Sequence, residues 1–152
     1  MKKDLTIPYG EFMVKFKDIM KSLGLNNSVQ REYVLKVLFN SQIHLSAEAL
    51  LKEVKKEFNV AMGIATVYRI LLLLEELKIV KSIILDGSGS KLYELDLVAH
   101  HDHMVCTKCQ KIIEFYDKEL EVLQEKTACV YGFTLESHNM LIYGICPECQ
   151  KL

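Results

Sequence analysis

Apolar residues recur at helical spacing through the first half of the chain. Between Tyr9 and Leu23, the residues Phe12, Phe16, Ile19, Met20 and Leu23 share one helical face, and Gly24 supplies a stop. Ser28 can cap a second helix whose apolar face is Val29, Tyr33, Val34, Val37 and Leu38. In "HLSAEALLKEVKKEF", Ser46 is the expected N-cap and Glu48 sits in the first turn, where the helix dipole favours an acid. Leu50, Leu51, Val54 and Phe58 form the buried stripe of that helix. After Gly63, "IATVYRILLLLEELK" predicts a fourth helix, polar at its start and densely apolar further on. The period then changes, because "IVKSIIL" and "KLYEL" are β-rich runs around the turn-forming "DGSGS", which is a hairpin signal. Helices followed by a hairpin predict a winged helix-turn-helix over residues 1–95, with an extended N-terminal helix. A generic helical domain with a trailing hairpin is the alternative.

The pattern after Leu95 is different. A short connector, "DLVA", leads to strand-like "HMVC" and "KIIEF", a helix from Asp117 to about Tyr131, and strands around "FTLESH" and "LIYGIC". The fold class is therefore α+β: an N-terminal winged helix-turn-helix followed by a small α/β dimerisation domain, residues 96–152. A unit of roughly 55 residues rarely has enough core to fold unaided, so a structural metal, a partner surface or both are expected. Unpaired strand edges at "FTLESH" and "LIYGIC" point to a homodimer formed mainly by residues after Leu95.

Composition narrows the class. With 50% hydrophobic and 26% charged residues among 152, a packed core is expected rather than disorder. No apolar run approaches the roughly 20 residues that span a bilayer, and lysines and acids interrupt the apolar positions of the N-terminus, unlike a secretory signal. A cytoplasmic protein with no membrane partner is expected. The net charge of −1 gives no sign of a strongly basic nucleic-acid binder. Its distribution says more: residues 1–95 carry 14 Lys and Arg against 11 Asp and Glu, and residues 96–152 carry 5 against 9. Contact with a polyanion is thereby assigned to the front half.

Four of the five cysteines form two C-x-x-C pairs, "CTKC" and "CPEC". Cys106, Cys109, Cys146 and Cys149 can supply four thiolates to a tetrahedral zinc with no open position, and such a site contributes folding energy outright. A redox motif or an iron–sulfur cluster competes with this reading, although a thioredoxin-like motif needs only one pair. Cys129 stands apart as a bystander. In "AHHDHMVCTKC" an extended backbone would turn His101 and His103 one way and His100 and Asp102 the other, so that one stretch feeds two metal sites. A solvated His-rich loop is the plainer alternative. Further ligands are available in His44, Glu94, Glu114, Glu121 and His138, and spacing does not choose among them. A metallohydrolase would need an open, water-accessible metal and a substrate pocket. No nucleophile motif, phosphate loop or acid/base pair accompanies the histidines, so neither enzymatic activity nor a small-molecule substrate is expected. A zinc-stabilised interaction module would leave the helix–hairpin front half unexplained.

Together, "GIATVYR", "HHDHMVCTKCQKIIEF" and the distal "CPEC" resemble the ferric uptake regulator family of metal-dependent repressors, over nearly the whole chain. The resemblance implies a structural zinc on Cys106, Cys109, Cys146 and Cys149. It implies a regulatory site of His44, Glu94, His101 and His103, sometimes with Glu114, and an additional site of His100, Asp102, Glu121 and His138. His44 precedes "LSAE" and Glu94 lies in "LYEL", as that pattern requires. Imidazoles with carboxylates suit Fe2+, Mn2+, Co2+ or Zn2+. Zinc-uptake and peroxide-sensing regulators share the scaffold, and Glu94 favours the iron branch because the peroxide sensors usually carry aspartate there. The implied partners are a double-stranded DNA operator and a second copy of the chain, and the implied output is repression of metal-uptake genes. The start of a recognition helix lies near base edges. Thr66, Tyr68 and Arg69 occupy it, with the Tyr68 ring suited to a thymine methyl and Arg69 to phosphate or guanine. Packing of Tyr68 against the wing is the alternative. Lys91 and Lys81 on the hairpin could meet phosphates. Three departures from the pattern stand out: Gln110 in place of the glycine usual after the second cysteine, Val29-Gln30 in place of a Pro-containing helix start, and the longer N-terminal helix.

Overall fold

A computed structural model describes residues 7–41, 43–85, 89–96 and 100–151. They fall into two compact units, one within Lys2–Val98 and one within Ala99–Leu152. Most of the "DGSGS" turn and of the "DLVA" connector lies outside the described residues.

In the first unit, α1 (Tyr9–Ser22) buries Phe12, Met13, Phe16 and Met20. Ile19 and Leu23, expected on the buried face, are exposed, because Met13 rather than either of them joins the core stripe. The chain leaves α1 through Gly24 at φ 66°, a left-handed conformation that glycine adopts without strain. Helix α2 (Val29–Asn40) starts at Ser28, whose hydroxyl accepts from the Arg31 amide, and buries Val34, Leu35, Val37 and Leu38. Val29 stays exposed at the first turn. Phe39 of α2 receives the N-terminal extension: Tyr9 meets it edge-on at 5.1 Å and Phe12 stacks on it at 5.6 Å. The Lys36 ammonium covers the other aromatic partner, 3.8 Å from the Tyr9 ring centroid.

Helix α3 (Ala47–Phe58) is capped by Ser46, which accepts from the Ala49 amide, and buries Ala47, Leu50 and Val54. Leu51 and Phe58 pack at the margin of the core. Helix α4 (Ile64–Glu76) buries Val67, Ile70, Leu71 and Leu74. Three strands complete the unit: β1 (Leu45–Ser46), β2 (Val80–Ile84) and β3 (Lys91–Leu95), in the order β1-β3-β2 and antiparallel throughout. This is a winged helix with an added N-terminal helix. The two-residue β1 gives no periodicity to read and was not expected.

The second unit consists of β4 (Asp102–Cys106), β5 (Ile112–Phe115), α5 (Lys118–Val130), β6 (Leu141–Gly144) and α6 (Pro147–Gln150). Its sheet runs β5-β4-β6, with β4 antiparallel to β5 and parallel to β6. Asp117 caps α5 through bonds from the Glu119 and Leu120 amides, yet none of that helix's residues is buried. The strand expected at "FTLESH" does not form. Phe133 and Leu135 are exposed there, and within one chain the segment finds no strand to pair with. Among the described residues of this unit, the buried apolar side chains are Val105 and the thiols of Cys106, Cys146 and Cys149. A core this small matches the expectation that something besides apolar packing holds the unit together. No helix of the described residues is long and apolar enough to cross a membrane.

Candidate metal centres

Cys106 ends β4, Cys109 lies in the turn that follows, Cys146 is the residue just before α6, and Cys149 lies within that helix. Their four sulfurs lie within 4.8 Å of one another, and Cys109 Sγ is 3.8 Å from Cys146 Sγ. Thiolates about 2.3 Å from a tetrahedral zinc sit about 3.8 Å apart, whereas a disulfide closes to about 2.0 Å. All four thiols are free. The residues present therefore fit a closed zinc site. The backbone N–H of Cys146 donates to Cys106 Sγ at 3.3 Å. That bond, and a second from the Cys109 amide, lower the Cys106 pKa to about 6. Hydrogen bonding with Cys146 and Cys109, together with burial, pushes Cys149 up to about 12. Four crowded sulfurs do not ionise together unaided, and a cation at their centre is what permits it. Lys111 and Glu148 join the two knuckles from outside with a 2.9 Å ion pair. Gln110 holds φ at 61°, so the turn does require the left-handed conformation that a glycine would supply. Cys129 is exposed and outside the cluster.

A second set gathers on one side of β4. His100 Nε2 lies 3.3 Å from Glu121 Oε1 and 3.6 Å from Asp102 Oδ1. His138 Nε2 lies 3.5 and 3.8 Å from the same two atoms. Asp102 is buried with neither carboxylate oxygen hydrogen-bonded, and Glu121 Oε1 and His138 Nε2 are likewise buried without a hydrogen bond. Buried acceptors left this way cost roughly 1–3 kcal/mol each, more for charged groups. A divalent cation among the four residues satisfies them at once, so this donor set also fits a metal. Glu121 brings α5 to the site through its polar side chain, in a helix that buries no apolar one.

The remaining candidates form a pair in one unit and a triplet in the other. His44 immediately precedes β1, and the register Leu45↔Tyr93 sets it beside Glu94 on β3. Its Nε2 is 3.2 Å from Glu94 Oε2, with both side chains almost fully buried. The short strand that sequence reasoning missed is thus what positions this histidine. In the second unit His103 stands opposite Glu114 across the β4–β5 ladder. His101 meets His103 edge-on with ring centroids 4.8 Å apart, and donor atoms of all three residues lie within 4.8 Å. The "HHDH" run is accordingly divided, His101 and His103 toward Glu114, His100 and Asp102 toward Glu121 and His138.

At the start of α4, Thr66 is half-buried while Tyr68 and Arg69 are exposed. Tyr68 is held by α3 rather than by the wing: its hydroxyl donates to Glu48 Oε1 at 2.8 Å. This bond lowers the Glu48 pKa and raises that of Tyr68. Lys91 is bound inward, 2.8 Å from Glu75 Oε2, and Ser82 donates to the other oxygen of Glu75 at 2.6 Å. Neither Glu48 nor Glu75 was singled out as a partner from sequence. Both look like ordinary solvated acids on helix surfaces.

A winged helix followed in the chain by a small sheet unit, with thiols, imidazoles and carboxylates gathered at metal-ligand spacing, defines a metal-dependent transcriptional regulator. The family model for the ferric uptake regulator family matches residues 22–143. The ferric uptake regulation protein of Campylobacter upsaliensis is 45% identical over 144 residues, covering 94% of this chain and 92% of its own length. The solved Helicobacter pylori ferric uptake regulator, described as having three functional metal-binding sites, superposes with a TM-score of 0.88 at 36% identity, over 99% of this chain and 97% of that one. The Francisella tularensis regulator, solved with iron, gives 0.74 at 34% identity over 84% and 96%. The chain belongs to the ferric uptake regulator family.

Proposed function

We propose that this protein is an iron-responsive, DNA-binding repressor of metal-uptake genes that works as a cytoplasmic homodimer and catalyses no reaction. The observation that carries the reading is the division of "HHDH" into two ligand sets beside a separate four-thiol set. The Helicobacter pylori relative, with its three functional metal sites, supports it. In this reading Cys106, Cys109, Cys146 and Cys149 hold a structural Zn2+, and His44, Glu94, His101, His103 and Glu114 supply the regulatory ligands. His100, Asp102, Glu121 and His138 take a further divalent ion.

The regulatory ion supplies the positive charge that lets neutral imidazoles and carboxylates converge. His44 and Glu94 come from the winged helix and the other three from the sheet unit. Metal therefore favours whichever state lets all five donors reach it, and the shift is set by its differential affinity for the available states. Thr66, Tyr68 and Arg69 would face the major groove, with Glu48 fixing the Tyr68 ring, whereas Lys91 would reach a phosphate only by leaving its ion pair with Glu75. For the dimer, Met104 stands between Ile113 and Ile142 in the ladder, giving an exposed apolar stripe, and Leu123, Val130 and Phe133 are also exposed. Raw affinity would favour Zn2+ over Fe2+ at such a site, so availability in the cell selects iron or its surrogate Mn2+.

An operator gel-shift titration tests the reading, with Fe2+, Mn2+ or Zn2+ added to zinc-loaded protein. Fe2+ or Mn2+ should convert free DNA to complex. DNA binding that ignores all three ions overturns the proposal, and a response to Zn2+ alone would place the protein among zinc-uptake regulators.

A further inference from the structure

Glu94 is wholly buried, and its carboxylate is approached by His44, 3.2 Å from Oε2, and by the Lys81 ammonium, 3.6 Å from Oε1. Lys81 and Glu94 are directly opposed in the β2–β3 ladder, so strand register fixes the encounter. The same ammonium lies 3.7 Å from Asp96 Oδ1, at the exposed end of β3. Lys81 is thus shared between a buried carboxylate and a half-exposed one. A buried carboxylate without a countercharge is costly. Lys81 gives Glu94 that countercharge from within the winged-helix unit, without any metal. A divalent cation that takes Glu94 as a ligand meets a positive charge already in place.

We propose that Lys81 is a built-in competitor of the regulatory divalent cation for Glu94, and that Asp96 receives the ammonium when the cation binds. The Lys81–Asp96 pair then sets the metal concentration at which the protein responds. This rests on Glu94 being a regulatory ligand, as argued above. The sequence gives no hint of it, since Lys81 reads as a wing lysine in reach of phosphate.

The test is a titration of the zinc-loaded full chain with Mn2+ alone, read by calorimetry and by the loss of free Mn2+ signal in electron paramagnetic resonance. The binding class that Glu94→Gln abolishes is the one followed. Lys81→Met, which keeps the aliphatic stem, should tighten that class by about tenfold or more, given a unit charge removed near 4 Å. It should also lower the unfolding midpoint of the protein without regulatory metal, because Glu94 loses the Lys81 charge beside it. Asp96→Asn should act in the opposite sense on metal, weakening Mn2+ several-fold by leaving the ammonium on Glu94. Unchanged or weaker Mn2+ binding in Lys81→Met overturns the proposal, as does unchanged or tighter binding in Asp96→Asn. Should Lys81→Met fail to fold, Asp96→Asn decides alone. If Glu94→Gln abolishes no Mn2+ class, the ligand assignment falls. If it does and the other two variants are silent, only the competitor proposal falls.

Discussion

Replacing Cys106 by serine removes one of four donors from the thiol set and should cost the second unit its fold. Serine keeps nearly the size of cysteine, but its hydroxyl does not ionise to a thiolate-like ligand, so the tetrahedron is left incomplete. The size of the loss follows from how little else is there. Val105 is the one buried apolar side chain of the described unit besides the thiols, and α5 buries none. Full burial of a valine stabilises by about 1.5–3 kcal/mol, whereas a structural zinc contributes about 10–16 kcal/mol. Loss of the ion therefore exceeds what the apolar core can replace. The winged helix should survive, because its core runs from Phe12 to Leu95 without a residue of the second unit. The assay combines zinc analysis, sedimentation equilibrium and segment-resolved hydrogen exchange. Cys106→Ser should lose one zinc per chain, sediment as a monomer, and lose amide protection in β4, β5 and β6 while α2, α3 and α4 keep theirs. A variant that has lost zinc yet keeps a protected sheet and a dimer would refute the reasoning.

Three further outcomes are expected. His101→Ala should stay folded, dimeric and zinc-loaded, yet need far more Mn2+ to shift operator DNA; an unaltered metal dependence in the gel-shift titration sinks the regulatory assignment. Cys129→Ala should leave zinc stoichiometry unchanged, since this thiol is exposed and outside the cluster; elemental analysis would expose a wrong assignment of thiols. Gln110→Gly should raise thermal stability, by up to about 1 kcal/mol, by relieving a left-handed side-chain residue at φ 61°; a lowered midpoint in calorimetric unfolding would show that the turn tolerates glutamine without strain.

Helices α1 to α5 were legible from helical spacing together with local signals, among them Ser28, Ser46 and Asp117, which accept from amides of the first turn they precede, whereas the four-residue α6 was not expected. Errors fell where burial depends on neighbours that the stripe does not encode. Ile19 loses its core place to Met13, and Val29 ends up exposed at the first turn of α2. β1 has two residues and exists only because β3 offers it an edge, so nothing local announces it. "FTLESH" carries strand propensity that a single chain leaves unpaired. At the metal sets the spacing of the thiols was sufficient, and alternation divided "HHDH". The distant partners Glu114, Glu121 and His138 depend on register and helix placement, so residue type offered them as candidates and only the family resemblance assigned them to sets. The Tyr68–Glu48 hydrogen bond and the ion pairs Lys91–Glu75 and Lys81–Glu94 were invisible, because in sequence one lysine or acid looks like another until a fold aims it.

One consequence of the topology links the three ligand sets. β4 is the middle strand of its sheet, so both of its edges are paired. His103 and Asp102 are neighbours on that strand and serve different sets, so a one-residue slip of β4 would exchange them. Register here is consequently a condition for both sets at once. It is fixed where β4 ends: Cys106 pairs with Gly144 in the ladder, and its sulfur accepts the Cys146 amide at 3.3 Å. The four-thiol set therefore does more than close the unit. By tying the end of β4 to α6 it helps fix which side chains of "HHDH" face which set, so the loss of a thiol should also weaken metal binding at the two proposed sites whose own ligands are intact.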